Sequence, residues 1–176
     1  MAAPRILVLG VGNTLMGDDG VGAHAVQAFA GRYELPANLR VIDGGVAGLG
    51  LLGEIAAVDY LLIVDAVRNG GLPGTIHRLR REEIAPRGGP LVSAHEVGVA
   101  ELLAAAEFSG QLPVADIIGV EPLQTETMTL ELSVPVRRAM PEIVAAIVDT
   151  LHAHGVELKE KSKVGTPCCG PEELDA

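Results

Sequence analysis

Acidic side chains follow three of the segments that have the pattern of buried strands, and a histidine begins a later helical pattern. Asp18 and Asp19 come after the first strand, Asp43 ends the second, and Asp65 directly follows the third. His95 lies near the start of a predicted helix. In sheets of parallel strands, ligands bind beyond the carboxyl ends of the strands. We therefore expect these residues to converge at that edge of the sheet.

The convergence of carboxylates predicts a bound cation. A carboxylate cluster requires a cation or protons to offset its self-repulsion. Two carboxylates and one imidazole provide two oxygen ligands and one nitrogen ligand, which suit a borderline divalent ion such as nickel or zinc. Such a set leaves positions open for substrate or water. The other histidines, His24, His77, His152 and His154, have no acidic partner at a ligand spacing.

Nucleotide binding is the first alternative, because Gly10 and Gly12 begin like a dinucleotide fingerprint. The third glycine of that fingerprint is replaced by Leu15, and no Gly-Lys-Ser/Thr sequence of a phosphate-binding loop follows. A helix N-terminus attracts anions, but Asp18 and Asp19 would repel a pyrophosphate there. These features disfavour a nucleotide site.

Other hydrolase signatures are absent from the sequence. His95-Glu96 begins like the zinc-protease helix motif, but Val99 stands where the second histidine is required. No Gly-x-Ser-x-Gly nucleophile motif is present. The two cysteines, Cys168 and Cys169, are adjacent in a polar C-terminal segment, which is a poor place for a positioned nucleophile.

The elements that must position these residues alternate between strands and helices. Continuous apolar strands alternating with helices predict a three-layer α/β fold, in which a mainly parallel sheet is covered by helices on both faces. We expect one domain, residues 1–156, followed by a polar, mobile tail, residues 157–176. The predicted strands are residues 5–10, 39–43, 60–64, 75–80 and 116–120, and the predicted helices are residues 20–33, 49–58, 93–107 and 133–154.

Three details of these elements are also predicted. Residues 75–80 alternate between apolar and polar side chains, which indicates an edge strand. Ser93 and Ser133 are expected to cap the helices that they begin. Pro141 predicts either a kink in the last helix or a later start near Met140.

The composition excludes several classes of function. The 176 residues carry a formal net charge of −10, and a nucleic-acid backbone requires many basic contacts, so we expect no nucleic-acid partner. No apolar run reaches the roughly 18 residues of a transmembrane helix, so we expect no membrane partner. The two cysteines provide no disulfide framework, which fits a reducing cytoplasm.

Four motifs together resemble the signature of the hydrogenase maturation endopeptidases. They are GVGNTLMGDDGVG at residues 10–22, DGG at residues 43–45, LIVDA at residues 62–66 and SAHEVG at residues 93–98. The resemblance extends from about residue 5 to about residue 155, with matching order and spacing. Each motif alone is weak, but the four together are specific.

The resemblance implies a phosphorylase/hydrolase-like fold and removal of the C-terminal extension of a nickel–iron hydrogenase large-subunit precursor after nickel insertion. It implies that Asp19, Asp65 and His95 bind nickel, which the precursor can supply, so that a permanent metal is not required. It also implies that Asp43 lies near the site. We expect the protein to be a monomer whose main partner is the precursor.

The mechanism expected from this resemblance uses Asp19, Asp65 and His95 as ligands, with nickel polarising the scissile carbonyl or lowering the pKa of a water. Asp43 or Asp18 would orient that water or accept its proton. Asp43 can equally be a turn residue, and Asp18 is favoured as a structural residue at the helix start.

Substrate specificity is expected in the loops at residues 68–74 and 124–129. A non-catalytic nickel-binding maturation chaperone with the same ligands is the alternative, and an unrelated α/β hydrolase or nucleotide-binding domain is a third.

Overall fold

Strands and helices alternate along the part of the chain that the computed structural model describes, residues 3–80 and 94–162, with only the backbone described for residues 94–98 and 100. Short 3₁₀ turns at Gly17–Gly20 and Gly48–Leu51 precede the first two α-helices. The elements in chain order are β1 (Ile6–Val11), α1 (Val21–Arg32), β2 (Tyr33–Glu34), β3 (Leu39–Gly45), α2 (Leu52–Ala56), β4 (Tyr60–Ala66), β5 (Ile76–Arg80), α3 (Ala94–Phe108), β6 (Val114–Val120), α4 (Val134–Ala153) and β7 (Lys159–Glu160).

The central sheet has five strands in the order β3-β1-β4-β6-β5. The first four are parallel, and β5 is antiparallel to β6 at the edge. Both the mainly parallel sheet and the edge position of residues 75–80 were predicted, and both are confirmed. The chain passes from β1 to β3 on one side and then returns to β4 on the other side. A topological switch point therefore lies between β1 and β4, where sheets of this kind bind ligands.

Helices cover both faces of this sheet. Side chains alternate along β4, so Leu62 and Val64 pack in the core beneath α1 and α4, whereas Leu61 and Ile63 pack beneath α2 and α3. The strands β1 and β4 are buried along their whole length because both of their faces are covered. The predicted three-layer α/β fold is confirmed.

Helix α4 places an apolar stripe against the sheet. Its buried residues recur three or four positions apart, which is the spacing of one helix face. The helix begins at Val134 and continues through Pro141, so the later start near Met140 is not observed. Ser133 precedes it but makes no side-chain capping bond, contrary to our expectation. The stripe consists of Val136, Ala139, Ile143, Ile147 and Leu151.

The first residues after the predicted domain boundary pair with an earlier part of the chain. We predicted a mobile tail from residue 157, but β7 pairs with β2 in a small antiparallel sheet. Lys161 donates from its Nζ to the carbonyl of Ala30, and Arg32 forms an ion pair with Glu160. These polar residues therefore find partners at the end of α1, and the domain boundary at residue 156 stays a prediction. Ser93, Cys168 and Cys169 lie outside the described residues.

No helix within residues 3–80 and 94–162 has both the length and the apolar character that crossing a membrane requires.

Candidate active site at the carboxyl edge of the sheet

The loop after β1 folds back over the end of that strand. Gly12 has a φ of 118°, which L side chains rarely adopt, and a Cβ there would collide with the carbonyl oxygen of Asp19. The N–H of Asn13 donates to Oδ2 of Asp19 at 2.7 Å. The glycine therefore allows Asp19 to pack against the strand end from which the loop departs.

The first turn of α1 is wedged between the ends of β1 and β4. A Cβ on Gly22 would collide with the carbonyl oxygens of Val11 and Val64. Asp65 directly follows Val64, and the 3₁₀ turn that carries Asp19 contacts β4. The close approach therefore brings two predicted site residues to the same place, the switch point between β1 and β4.

Asp19 and Asp65 are both buried, with only 3% of each residue exposed. Asp65 continues the alternation of Leu61 and Ile63, so its side chain points to the face covered by α2 and α3. Its Oδ1 accepts the N–H of Ala66 at 2.8 Å. Burying two carboxylates is costly unless protons, hydrogen bonds or a cation offset their charge. The pair therefore fits a divalent cation in its donor chemistry.

His95 is the second residue of α3, and its side chain lies outside what the structure describes. Helix α3 leads into β6, and its 15 residues span about 22 Å at 1.5 Å per residue. That length returns its first turn toward the carboxyl edge, on the face to which Asp65 points. The backbone position is therefore compatible with the predicted ligand role.

A complete metal-binding cluster is not established. Among the side chains described in residues 3–80 and 94–162, no group of three or more His, Cys, Asp and Glu residues is arranged to hold a metal ion. The predicted set has its third member in His95, whose side chain is not among them. The ligand set of Asp19, Asp65 and His95 stays a prediction.

Asp18 is buried like its neighbour, with 0% exposure, but it accepts hydrogen bonds from a distant part of the chain. Its Oδ1 accepts the N–H of Ser133 at 2.7 Å, and its Oδ2 accepts those of Leu123 at 2.9 Å and Gln124 at 3.2 Å. Both carboxylate oxygens are thus used to hold backbone groups. This arrangement assigns Asp18 a structural role and leaves it no access to a water at the site.

Asp43 lies on the other face of the sheet. It pairs in register with Gly10, whose side-chain direction faces α1, and its Oδ2 accepts a hydrogen bond from Gln27 of that helix at 2.8 Å. Its Oδ1 accepts the N–H of Gly45 at 3.1 Å, and the residue is exposed. This geometry favours the turn role over the predicted catalytic role, although Asp43 is near the same strand ends.

Glu121 is a buried acid at this edge that the sequence analysis did not identify. Its Oε2 accepts the N–H of Asn69 at 2.9 Å and that of Gly71 at 3.1 Å, and it lies 3.1 Å from Nε2 of His77. Burial raises the pKa of Glu121, but these hydrogen bonds and the histidine outweigh burial and lower it below its usual value. The residue directly follows β6, so the rule that selected Asp65 would also have found it.

A second polar cluster lies at the opposite, amino edge of the sheet. The Tyr60 hydroxyl donates to Oδ2 of Asp116 at 2.8 Å, and the ring of His154 stacks on Tyr60 with centroids 3.7 Å apart. Burial and the bond to Asp116 raise the pKa of Tyr60. His77 and His154 thus have acidic neighbours, Glu121 and Asp116, that we did not predict, because each pair is formed by residues far apart in the chain.

A family model, characterised relatives and solved structures all show similarity of this chain to hydrogenase maturation proteases. Residues 23–150 match the family model HycI, described as hydrogenase maturation protease. The chain is 40% identical over 156 residues to the hydrogenase expression/formation protein HupD of Rhizobium leguminosarum bv. viciae, covering 88% of this chain and 77% of that protein. It is 38% identical over 148 residues to the hydrogenase 2 maturation protease of Escherichia coli (strain K12), covering 81% of this chain and 90% of that one.

A solved structure agrees with the fold as well as with the sequence. The hydrogenase maturating endopeptidase HybD from Escherichia coli superposes with a TM-score of 0.83 at 38% identity. The match covers 90% of this chain and 98% of that chain. The two chains therefore share the three-layer α/β fold along nearly their whole length.

Proposed function

This chain belongs to the hydrogenase maturation protease family and is a peptidase, and we propose that it removes the C-terminal extension of a nickel–iron hydrogenase large-subunit precursor after nickel insertion. The observation that carries this proposal is the pair of buried carboxylates, Asp19 and Asp65, at the switch point of the sheet. A cation-binding site on this fold is what a protease that acts on a nickel-loaded substrate requires.

We assign Asp19, Asp65 and His95 to hold the nickel that the precursor carries. Oxygen and nitrogen ligands of this kind suit a borderline divalent ion. When bound, the ion supplies polarisation of the scissile carbonyl or acidification of a water. The two aspartates are fixed by the wedge of α1 against the strand ends, so they can fix the position of the scissile bond without rearranging.

We do not propose Asp18 as the acceptor of the water's proton, because its oxygens already accept hydrogen bonds from three backbone N–H groups. Asp43 stays a predicted catalytic residue, although its contacts with Gln27 and Gly45 favour a structural one. The large-subunit precursor is the proposed partner, and we propose a cytoplasmic monomer that needs no permanently bound metal.

The test is cleavage of a purified nickel-loaded precursor, measured by intact-mass spectrometry. We expect loss of the short C-terminal extension with the nickel-loaded precursor and an unchanged mass with the nickel-free precursor. Equal cleavage of both precursors would contradict the proposed requirement for nickel. Cleavage of neither precursor would contradict the proposed endopeptidase activity.

Variants separate the roles of the acids. We expect Asp19→Ala, Asp65→Ala and His95→Ala each to abolish cleavage, and Asp43→Ala to reveal by its rate whether that residue takes part. Asp149→Ala is the matched control, because this exposed acid lies on α4 and pairs with Arg78 at the surface. Normal processing by all three ligand variants would refute the assigned site.

A non-catalytic chaperone that uses the same ligands is the remaining alternative for the chemistry of the site. It predicts a stable complex with the nickel-loaded precursor and no change in precursor mass. The family membership favours the protease, and the same mass measurement distinguishes the two.

A further inference from the structure

Exposed apolar side chains are concentrated beside the buried acids. We define the apolar rim as four residues of the loops after β1 and β6: Leu15, Leu123, Met128 and Leu130. Met128 is 82% exposed and Leu15 is 53% exposed, although the chain as a whole is acidic. Large exposed apolar side chains that lie together mark binding surfaces more often than a single exposed residue does.

The two loops that carry the rim are hydrogen-bonded to each other. The N–H of Thr129 donates to the carbonyl of Leu15 at 2.9 Å, and the N–H of Gly17 donates to the carbonyl of Thr129 at 2.8 Å. Met16 and Thr129 form a parallel bridge, so Leu15 and Met128, which precede them, come side by side. The rim is therefore an ordered surface and not two independent loops.

The buried carboxylate of Asp18 fixes this surface to the site. It binds the backbone at Leu123 and Gln124, where the rim begins, and at Ser133, where the rim loop enters α4. Asp18 is adjacent in sequence to Asp19. The turn at Gly17–Gly20 therefore carries the proposed metal ligand Asp19, and through Asp18 it also binds the backbone of the loop that bears most of the apolar rim.

We propose that the apolar rim binds apolar residues flanking the scissile bond of the large-subunit precursor. This inference rests on the proposed function. The rim adjoins the turn that carries Asp19, because Leu15 lies in the same loop after β1 and the loop after β6 is hydrogen-bonded to that segment at Leu15 and Asp18. The four side chains are apolar and exposed, so they fit apolar side chains of a bound segment, while the exposed Glu126 and Glu131 of the same loop lie beside them. Methionine at the most exposed position can adapt its shape to such a segment.

The experiment compares a rim variant with a matched control in the cleavage of nickel-loaded precursor. For Leu15→Ser with Met128→Ser, we expect KM to rise about tenfold or more, as loss of central interface side chains does, with kcat within about twofold of the wild type. Phe108→Ser is the control. Phe108 is 97% exposed at the end of α3, at the opposite edge of the sheet, and its variant should retain the wild-type KM.

The outcomes distinguish this inference from the function on which it rests. If the wild type does not cleave the precursor, the proposed function fails. If the wild type cleaves and the double variant has the wild-type KM, the rim inference alone is overturned. An equal rise in KM for Phe108→Ser also overturns it. If thermal unfolding shows that the double variant is destabilised, the single variant Met128→Ser decides, because its side chain is almost fully in solvent.

Discussion

Two adjacent buried aspartates in one turn accept hydrogen bonds from different parts of the chain. Asp18 is enclosed and satisfies three backbone N–H groups from two other parts of the chain. Asp19 faces the strand ends and accepts the N–H of Asn13. Neither role can be read from the pair DD, because the three donors to Asp18 lie more than a hundred residues away in the sequence.

Replacing Asp18 with Ala should destabilise the protein. Three buried N–H donors lose their acceptor, so we expect the free energy of unfolding to fall by about 2–4 kcal/mol. Urea denaturation followed by circular dichroism measures this change. Asp149→Ala, which removes an exposed acid, should change it by less than about 0.5 kcal/mol. Equal stability of the Asp18→Ala protein and the wild type would contradict the structural role.

Glu121 should make stability depend on pH. Its pKa is lowered in the folded protein, so its contribution is present above the usual value of 4.5 and is lost as pH falls through the folded pKa. We expect Glu121→Gln to be less stable than the wild type at pH 7, by about 1–2 kcal/mol. That difference should shrink below about pH 4.5. Urea titrations of both proteins between pH 7 and pH 3 provide the measurement, and a difference that stays constant with pH would contradict it.

At the scale of elements, the site depends on how closely α1 approaches the sheet. Gly22 leaves no room for a Cβ beside the backbone carbonyls of Val11 in β1 and Val64 in β4, so the helix begins directly against these strands. Glu121 and Arg68 then tie the loop after β4 to β6 and to Thr125 of the rim loop. The loops after β1, β4 and β6 are thus connected to one another by hydrogen bonds of Asp18, Glu121 and Arg68.

Gly22→Ala should therefore disrupt the site. The added Cβ collides with backbone that cannot move independently, so we expect a loss of about 3 kcal/mol or more in unfolding free energy. Gly31→Ala is the matched control on the same helix, because nothing lies within 4 Å of its added Cβ. It should stabilise the protein by about 0.5–1 kcal/mol through helix propensity. Thermal and urea unfolding measure the stability of both variants. A Gly22→Ala protein as stable as the Gly31→Ala protein would contradict the close packing of α1 against β1 and β4.

At the scale of the whole molecule, the last described strand connects the segment after α4 to the end of α1. Strand β7 pairs with β2 at the end of α1, far from the acidic site. Val156 is buried and Leu158 packs against the core beneath α1 and α4. The domain therefore uses residues that composition alone assigns to a tail.

A chain ending at residue 162 should be more stable than one ending at residue 156. The shorter chain loses the β2–β7 hydrogen bonds and the Leu158 contact, so we expect it to be destabilised by about 1–3 kcal/mol. Thermal unfolding of the two proteins tests this expectation, and equal midpoints would contradict a contribution of residues 157–162 to stability.

Much of this architecture could be predicted from the sequence. Apolar runs indicated the parallel strands of the central sheet, and the alternation of apolar and polar residues at 75–80 indicated its edge strand. The alternation of strands with helices indicated a mainly parallel sheet covered on both faces. The rule that ligands bind beyond the carboxyl ends of strands then selected Asp19 and Asp65. Both residues lie near the carboxyl ends of their strands, and their joint role as metal ligands stays a prediction.

Tertiary structure alone decided the roles that depend on distant partners. It separated Asp18 from Asp19 through donors at residues 123–133, and it placed Asp43 on the face of α1. It also paired Glu121 with His77 and β7 with β2. Periodicity and spacing report which face a residue occupies within its own element. They do not report which residues the packed chain brings opposite that face, and hydrogen bonding and burial depend on those residues.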